Sequence, residues 1–381
     1  MEQLVRLGDV CTVVSGSTPK TSVDEYWGGD VKWITPAELD ADSYYIYDSA
    51  KHITELGRTK TGLSYMPTGT VILSSRAPIG KVAIAGCEMC CNQGFKNLIC
   101  SDKIFNEYLY HFLRAKTDYL NSLGRGATFK EISKGIVENV LIPLPSMEEQ
   151  HHIADLFASV EKLIQTKKQQ LKLFDELVKT RFAELFGDYD LSHTRSDWKP
   201  ISEIGKVVGG ATPKTNIEEY WDGEYRWITP AELDADSGYI YDSVRKLTKA
   251  GVDSCSLQEM PVDTVILSSR APIGKVAIAG NTFYCNQGFK NIICGKSIVP
   301  RYLYAILLMN TDYLNSLGRG ATFKEISKSI VESIRIPVPS VELQNQFASF
   351  VEQTDKSKVA VQNSIAELEE LKKSLMQKYF G

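Results

Sequence analysis

The sequence predicts an α+β protein: two similar mixed α+β domains, joined and separated by two long antiparallel coiled-coil helices with pseudo-twofold symmetry. Three observations carry this. The chain is a direct repeat, each repeat opens with short strand-like segments followed by an amphipathic helix, and each closes with a long stretch of heptad character.

A single offset of 194 residues aligns almost the whole chain. "WITPAELDADS" at Trp33 recurs at Trp227, "VILSSRAPIGKVAIAG" at Val71 recurs unchanged at Val265, and "CNQGFKN" at Cys91 recurs at Cys285. "TDYLNSLGRGATFKEISK" at Thr117 recurs at Thr311, and the pair Phe186–Gly187 matches Phe380–Gly381. A period this long is that of a duplicated domain, not of a solenoid. The expected division is a first body at 1–145, a first long helix at 146–187, a second body at 188–339 and a second long helix at 340–381.

Within a repeat, "TVILSS" and "KVAIAG" read as strands flanking the turn "RAPIG", and "FKNLIC" as a third strand. Phe105, Tyr108, Leu109, Phe112, Leu113 and Leu120 then fall at helical spacing, matched by Tyr302, Leu303, Ile306, Leu307 and Leu314. A last strand runs into "LIPLPS" or "RIPVPS", where prolines stop it.

The tails change character. Phe157, Val160, Ile164, Lys167, Leu171, Phe174, Val178, Arg181 and Leu185 alternate by three and four, as do Val351, Thr354, Lys358, Val361, Ile365, Leu368, Lys372, Leu375 and Tyr379. That is a heptad seam with polar interruptions. Ser146 and Glu149 form a capping-box pattern; the second tail has Leu343 in place of the glutamate, so its start is less clearly marked. Each tail has a stripe that must be buried, and the other tail is the economical partner. Some 38 helical residues span roughly 57 Å.

With 381 residues, ordinary apolar content and no long apolar run, the chain reads as a soluble cytoplasmic protein with no membrane segment. The net charge of −4 gives no support by itself for polyanion binding, but its distribution is uneven. Acids dominate from Asp24 to Asp48, whereas from Lys60 to Cys100 the bases Lys60, Arg76, Lys81 and Lys96 face only Glu88.

Duplication supplies an internal control on chemistry. His52, His111, His151 and His152 meet Lys246, Ala305, Asn345 and Gln346, so no histidine is repeated, which weighs against histidine catalysis or a histidine metal site. Cys87 and Cys90 form a CxxC, but Asn281 and Tyr284 replace them in the second copy, and buried free thiols are the simpler reading of Cys91, Cys100, Cys285 and Cys294. No phosphate-binding GxxxxGK[ST] loop occurs. The carboxylates Glu38, Asp40 and Asp42 are repeated, yet Thr35, Pro36 and Glu38 also spell an ordinary helix start.

"GRGATFKEISK" at Gly124 and Gly318 stands out as a glycine-rich basic stretch written twice. Its plain reading is a turn, with Thr128 capping a short helix and Glu131 completing the box. Its functional reading is an anion site at that helix start, with Arg125, Thr128 and Lys130, and Arg319, Thr322 and Lys324, facing a phosphate backbone. The other repeated candidates are Arg76, Lys81, Asn92, Gln93 and Lys96, with partners Arg270, Lys275, Asn286, Gln287 and Lys290. An arginine in a tight loop reaches a base edge, and Asn or Gln amides pair with adenine. Each is equally a solvated surface residue or a structural amide, and both readings stay open at this point.

Two α+β bodies, each ending in "IPLPSMEEQ" or "IPVPSVELQ" and a long helix, with "GATFKEI" just upstream, resemble the specificity subunits of Type I restriction-modification systems. The resemblance covers the whole chain. It implies that each body is a target recognition domain reading half of a bipartite site in double-stranded DNA. It implies that the paired helices space the bodies and dock two methyltransferase subunits, joined by restriction/translocase subunits. The chain itself would be no enzyme and bind no metal or cofactor; S-adenosylmethionine, ATP and Mg would belong to the partners. The helix–helix positions are Phe157, Val160, Ile164, Leu171, Phe174 and Val178 against Val351, Val361, Ile365, Leu368 and Leu375. Because the copies are nearly identical, the expected half-sites match and are inverted. Any difference between them is expected at Arg58 and Lys60 against Val252 and Ser254, or at "CEMC" against "NTFY". The competing readings are a two-headed adaptor for a protein or glycan, and an enzyme built on the "AELDAD" carboxylates.

Overall fold

The computed structural model describes residues 4–40, 43–76, 78–126, 130–187, 189–193, 195–233, 238–255, 257–270, 272–320 and 324–381. Asp42, Thr128 and Thr322 lie outside the described residues.

The first body runs β1 (Leu4–Arg6), α1 (Leu7–Val10), β2 (Cys11–Ser15), β3 (Trp27–Ile34), β4 (Tyr45–Ile46), β5 (Lys51–Ile53), α2 (Glu55–Thr61), β6 (Val71–Leu73), β7 (Val82–Ala85), β8 (Cys90–Cys91), β9 (Lys96–Cys100), α3 (Asn106–Ala115), α4 (Thr117–Ser122), α5 (Lys134–Glu138) and β10 (Leu141–Pro143). A five-stranded sheet has the order β2-β9-β6-β7-β4, a three-stranded sheet the order β5-β3-β8, and β1 pairs with β10. Pairing is antiparallel except for β4 with β7 and β3 with β8. The second body repeats both sheet orders, its larger sheet built from Gly205–Gly209, Lys290–Cys294, Val265–Leu267, Val276–Ala279 and Tyr239–Ile240.

Strands β6 and β7 are apolar throughout because both faces of the larger sheet are covered. Val71, Leu73, Val82 and Ile84 face the α3 side chains Tyr108, Leu109, Phe112 and Leu113. The alternate residues Ile72, Ala83 and Ala85 face a second core with Ile34, Met66, Met89 and Phe95. The helical spacing read from the sequence is this buried face, although the helix is interrupted at Lys116, so that α3 and α4 are separate.

The long helices are Met147–Phe186 and Val341–Phe380. Ser146 Oγ accepts from the Glu149 N–H at 3.2 Å, and Ser340 Oγ from Leu343 N–H at 3.3 Å, so the second helix is capped by its serine without the glutamate. The chain forms two compact units, one of residues 1–168 with 363–381 and one of 169–362. Each long helix therefore gives its first half to one unit and its second half to the other, a division the linear boundaries at 145, 187 and 339 do not express.

In the first unit Glu161 pairs with Lys372, and Lys168 with Glu369 at 3.6 Å, so the two helix segments run antiparallel. Phe380 stacks on Phe157 with centroids 5.7 Å apart and meets Tyr108 edge-on at 5.4 Å. In the second unit Lys358 pairs with Asp175, and Phe182 packs on Phe347 at 5.1 Å and Tyr302 at 5.4 Å, again antiparallel. Of the predicted seam, Phe157, Val160, Ile164, Val351 and Val361 are buried; Leu171, Phe174, Val178, Ile365, Leu368 and Leu375 are half-buried. At its ends the heptad register slips by one. The buried knobs are Phe182 and Phe380, not Arg181 and Tyr379, because there each helix packs on a sheet-bearing body and not only on its partner helix.

Candidate nucleic-acid interface

Three stretches identical in the two copies meet at one place in each body. Ser74 follows β6 and is bonded to Pro78 and Lys81. Its N–H donates to the Lys81 carbonyl at 2.9 Å, and its hydroxyl donates to the Pro78 carbonyl at 2.7 Å while accepting from the Lys81 N–H at 2.8 Å. Ser75 N–H donates to the Gly94 carbonyl at 2.7 Å, tying in the "CNQGFK" stretch, and Ile132 N–H donates to the Ser75 carbonyl at 3.0 Å, tying in "GRGATFKEI". Arg125 and Glu131 exchange both backbone hydrogen bonds, at 3.0 and 2.9 Å. At Gly124 a Cβ would press on Ile79 Cδ1 at 2.8 Å, so a side chain there would make Ile79 shift.

Glu131 is the hub. Its carboxylate accepts from Lys96 Nζ at 3.1 Å, and Arg76 Nη1 stands 3.9 Å away. In the second body Glu325 accepts from Lys290 at 3.2 Å and Arg270 at 2.9 Å. Burial works to raise the Glu325 carboxyl, and hydrogen bonds from Arg270 and Lys290 outweigh it, leaving it below the usual range. This corrects the helix-start reading of the loop. Arg125 and Glu131 close it as an antiparallel bridge, and the next helix begins only at Lys134, capped by Ser133 Oγ. Among the described residues no helix N-terminus presents its amides beside Arg125.

Several candidates are thereby reassigned. Lys96 is 7% exposed, its ammonium held by Ser75 Oγ at 3.2 Å and by Glu131; Lys290 has the same partners in Ser269 and Glu325. Lys81 Nζ donates to the carbonyls of Pro36 and Leu39, and Lys275 to those of Pro230 and Leu233. These four lysines are internal struts, each ammonium bonded to at least two partners. The Asn92 and Asn286 side-chain oxygens accept from the N–H of Gly94 and Gly288 at 2.8 and 2.9 Å, fixing turns and leaving their amide nitrogens unengaged. Gln93 and Gln287 are exposed and accept from the hydroxyls of Thr18 and Thr212, a link from distant sequence that spacing did not reveal. Gly16 permits it, since a Cβ would stand 2.0 Å from the Cys91 carbonyl.

What remains on the surface is basic. Arg125, Lys130, Arg270, Arg319 and Lys324 are exposed and Arg76 is partly so; Arg270 pairs with Glu325 at 2.9 Å, and Arg76 stands 3.9 Å from Glu131. Guanidinium and ammonium groups gathered in this way suit phosphate and base-edge contacts.

The acidic run has a different use. Glu38 Oε1 accepts from the Thr35 N–H and hydroxyl, and Oε2 from the Ala50 N–H at 2.6 Å; Glu232 does the same with Thr229 and Val244. Both carboxylates are spent on capping boxes of single 3₁₀ turns. Burial pushes the Cys90 thiol up to about 11 and Cys91 up to about 12, so both are protonated near neutrality.

The copies differ at the smaller sheet. Arg58 donates to Glu55 and the Leu63 carbonyl and lies 4.7 Å over the Tyr65 ring, whereas Val252 is 4% exposed in a core with Tyr284. Cys90 and Leu63 occupy the matching core of the first body. Lys60 and Ser254 are exposed. The two variable stretches thus share one small core, where the larger Tyr284 accompanies Val252.

The family model for the Type I restriction modification DNA specificity domain matches residues 2–173 and 195–373. The chain is 41% identical over 189 residues to the MjaIX specificity subunit of Methanocaldococcus jannaschii, a match to 49% of this chain and 44% of that protein. It is 25% identical over 369 residues to a putative MjaX specificity subunit of the same organism, 90% and 85% of the two chains. Among solved structures, a chain from a study of assembly and conformational transition in a type I R-M system superposes with a TM-score of 0.68 at 20% identity, covering 99% and 97% of the two chains. The Type I restriction-modification S subunit of M. genitalium gives 0.57 at 15% identity, covering 100% and 96%. With both repeats matched separately and both folded on this plan, the chain belongs to the Type I restriction modification DNA specificity domain family.

Proposed function

We propose that this chain is the DNA specificity subunit of a Type I restriction-modification complex. Each body reads one half of a bipartite site in double-stranded DNA, through Arg76, Arg125, Lys130 and Gln93 in the first and Arg270, Arg319, Lys324 and Gln287 in the second. The observation that carries this is the convergence of three stretches, far apart in sequence and identical in both copies, on one basic surface. Because these surfaces are the same and the differing residues sit at the smaller sheet, the half-sites match and are inverted, separated by an unread spacer. The long helices set that spacer and dock two methyltransferase subunits, which restriction/translocase subunits join. Adenine methylation and cleavage belong to those partners, with their S-adenosylmethionine, ATP and Mg. Among the described residues no helix is long and apolar enough to cross a membrane, and no cluster of metal-binding side chains occurs.

The test is to express the chain with its cognate adenine methyltransferase subunit in a methylation-free host and map modified adenines. A gapped motif with inverted, matching halves is the expected outcome. Failure of the subunits to associate, together with no salt-dependent DNA binding, would favour the two-headed adaptor instead.

A further inference from the structure

The arginines of the basic surface are held in two different ways. Arg76 sits between strand and turn, its backbone bridged to Glu131 and its guanidinium beside the Glu131 carboxylate, which is fixed in turn by the buried Lys96. Arg270 repeats the arrangement on Glu325 and Lys290. Arg270 lies 2.9 Å from its carboxylate and Arg76 3.9 Å from its own, and the two side chains keep 47% and 35% of their surface exposed. Arg125, Lys130, Arg319 and Lys324 are exposed, and among the described residues none of them pairs with a carboxylate.

Resting on the DNA-recognition reading above, we propose a division of labour. Arg76 and Arg270 are the base-reading arginines, aimed at the N7 and O6 acceptors of guanine, with Glu131 and Glu325 as their positioning residues; Arg125, Lys130, Arg319 and Lys324 hold phosphates. A planar fork on a bridged backbone and beside a carboxylate has its angle restricted, which bidentate base recognition demands. A phosphate contact needs only a nearby charge, and untethered side chains supply it. A carboxylate inside a DNA-facing basic cluster opposes DNA binding by charge alone. Its presence in both copies, bonded to a lysine that is buried in the first and half-buried in the second, is accounted for by aiming the arginine.

The duplication makes the test internal. The chain is assembled with its methyltransferase partner, carrying Glu131→Gln, Arg76→Lys or Arg125→Ala in the first copy only. Binding to cognate DNA and to DNA with one guanine of one half-site replaced is measured across a salt series, alongside the methylation motif in cells. Glu131→Gln and Arg76→Lys should each lower discrimination between the two DNAs by roughly 5- to 150-fold, and relax one half-site while the other stays strict. Glu131→Gln should leave binding to mismatched DNA equal or tighter, since an opposing charge has gone. Arg125→Ala should weaken both DNAs alike and reduce the salt slope by about one. Arg76→Lys keeps the charge and loses only the planar fork, so it reports even if Glu131→Gln disturbs folding. Full discrimination in both Arg76→Lys and Glu131→Gln, or equal weakening on both DNAs, overturns the proposal. A wild-type complex that yields no gapped motif instead removes the recognition reading beneath it.

Discussion

His111 lies at the centre of the first unit's core, fully buried, stacked 4.9 Å from Phe157, with neither ring nitrogen hydrogen-bonded. Burial, aided by the positive charges of Arg114 and Lys372, pushes its pKa down to about 3 from an ordinary 6.5. The folded state therefore keeps this imidazole neutral where the unfolded chain protonates it. Above pH 6.5 the residue adds nothing to the pH dependence. Below it the unfolded state binds one more proton, and stability falls by up to about 1.4 kcal/mol per pH unit until pH 3 is approached. Between pH 7.5 and 5.0 the loss from this one residue is about 2 kcal/mol. His111→Leu removes the titration and also an unsatisfied polar group whose burial costs on the order of 1–3 kcal/mol. Urea unfolding of wild type and variant at both pH values isolates the effect, since all other groups titrate in both proteins. The variant should match or exceed the wild type at pH 7.5 and gain about 2 kcal/mol on it at pH 5.0. Parallel pH dependence of the two proteins would refute the reasoning.

Three further outcomes follow from the packing. Phe380→Ala should destabilise the first unit by about 3–5 kcal/mol, seen in limited proteolysis as cleavage within α3 and α4 while the second unit stays protected. Gly16→Ala should lower the melting temperature by several degrees and weaken DNA binding, because its Cβ collides with the Cys91 carbonyl; Gly209→Ala, whose Cβ meets nothing closer than 4.0 Å, should stay within about 0.5 kcal/mol of wild type. Lys81→Met should cost about 1–3 kcal/mol of stability through the orphaned Pro36 and Leu39 carbonyls, with no change in the salt slope of DNA binding; a shallower slope would return Lys81 to the phosphate contacts.

The repeat, the α3 face and the long helices were legible because each rests on a period, and periods are written along the chain. Tyr108, Leu109, Phe112 and Leu113 announce their burial by spacing alone. The interface was legible only as an inventory. Nothing local distinguishes Lys96, whose ammonium is buried against a carboxylate 35 residues away, from Lys130, which reaches solvent. Glu131 follows a threonine at capping distance, and that short-range pattern hid a tertiary role. The same blindness placed Arg181 in the seam one residue short of Phe182, since a heptad count carries no knowledge of the body on which the helix end lands. Here the duplicated pair Phe186–Gly187 and Phe380–Gly381 held a usable signal, because an aromatic repeated at the end of a polar helix is seldom idle.

The core that encloses Phe157 is completed by Phe380, a residue made only after the entire second body. During synthesis the first body must wait, the part of α3 that Phe380 meets at Tyr108 and Phe112 uncovered, while some two hundred further residues emerge. Contacts across so wide a separation slow folding and prolong the exposure of apolar surface. Any message truncated before residue 363 leaves the first body without part of its core, although the body's own strands are intact. Damage late in the chain is thereby registered at its beginning.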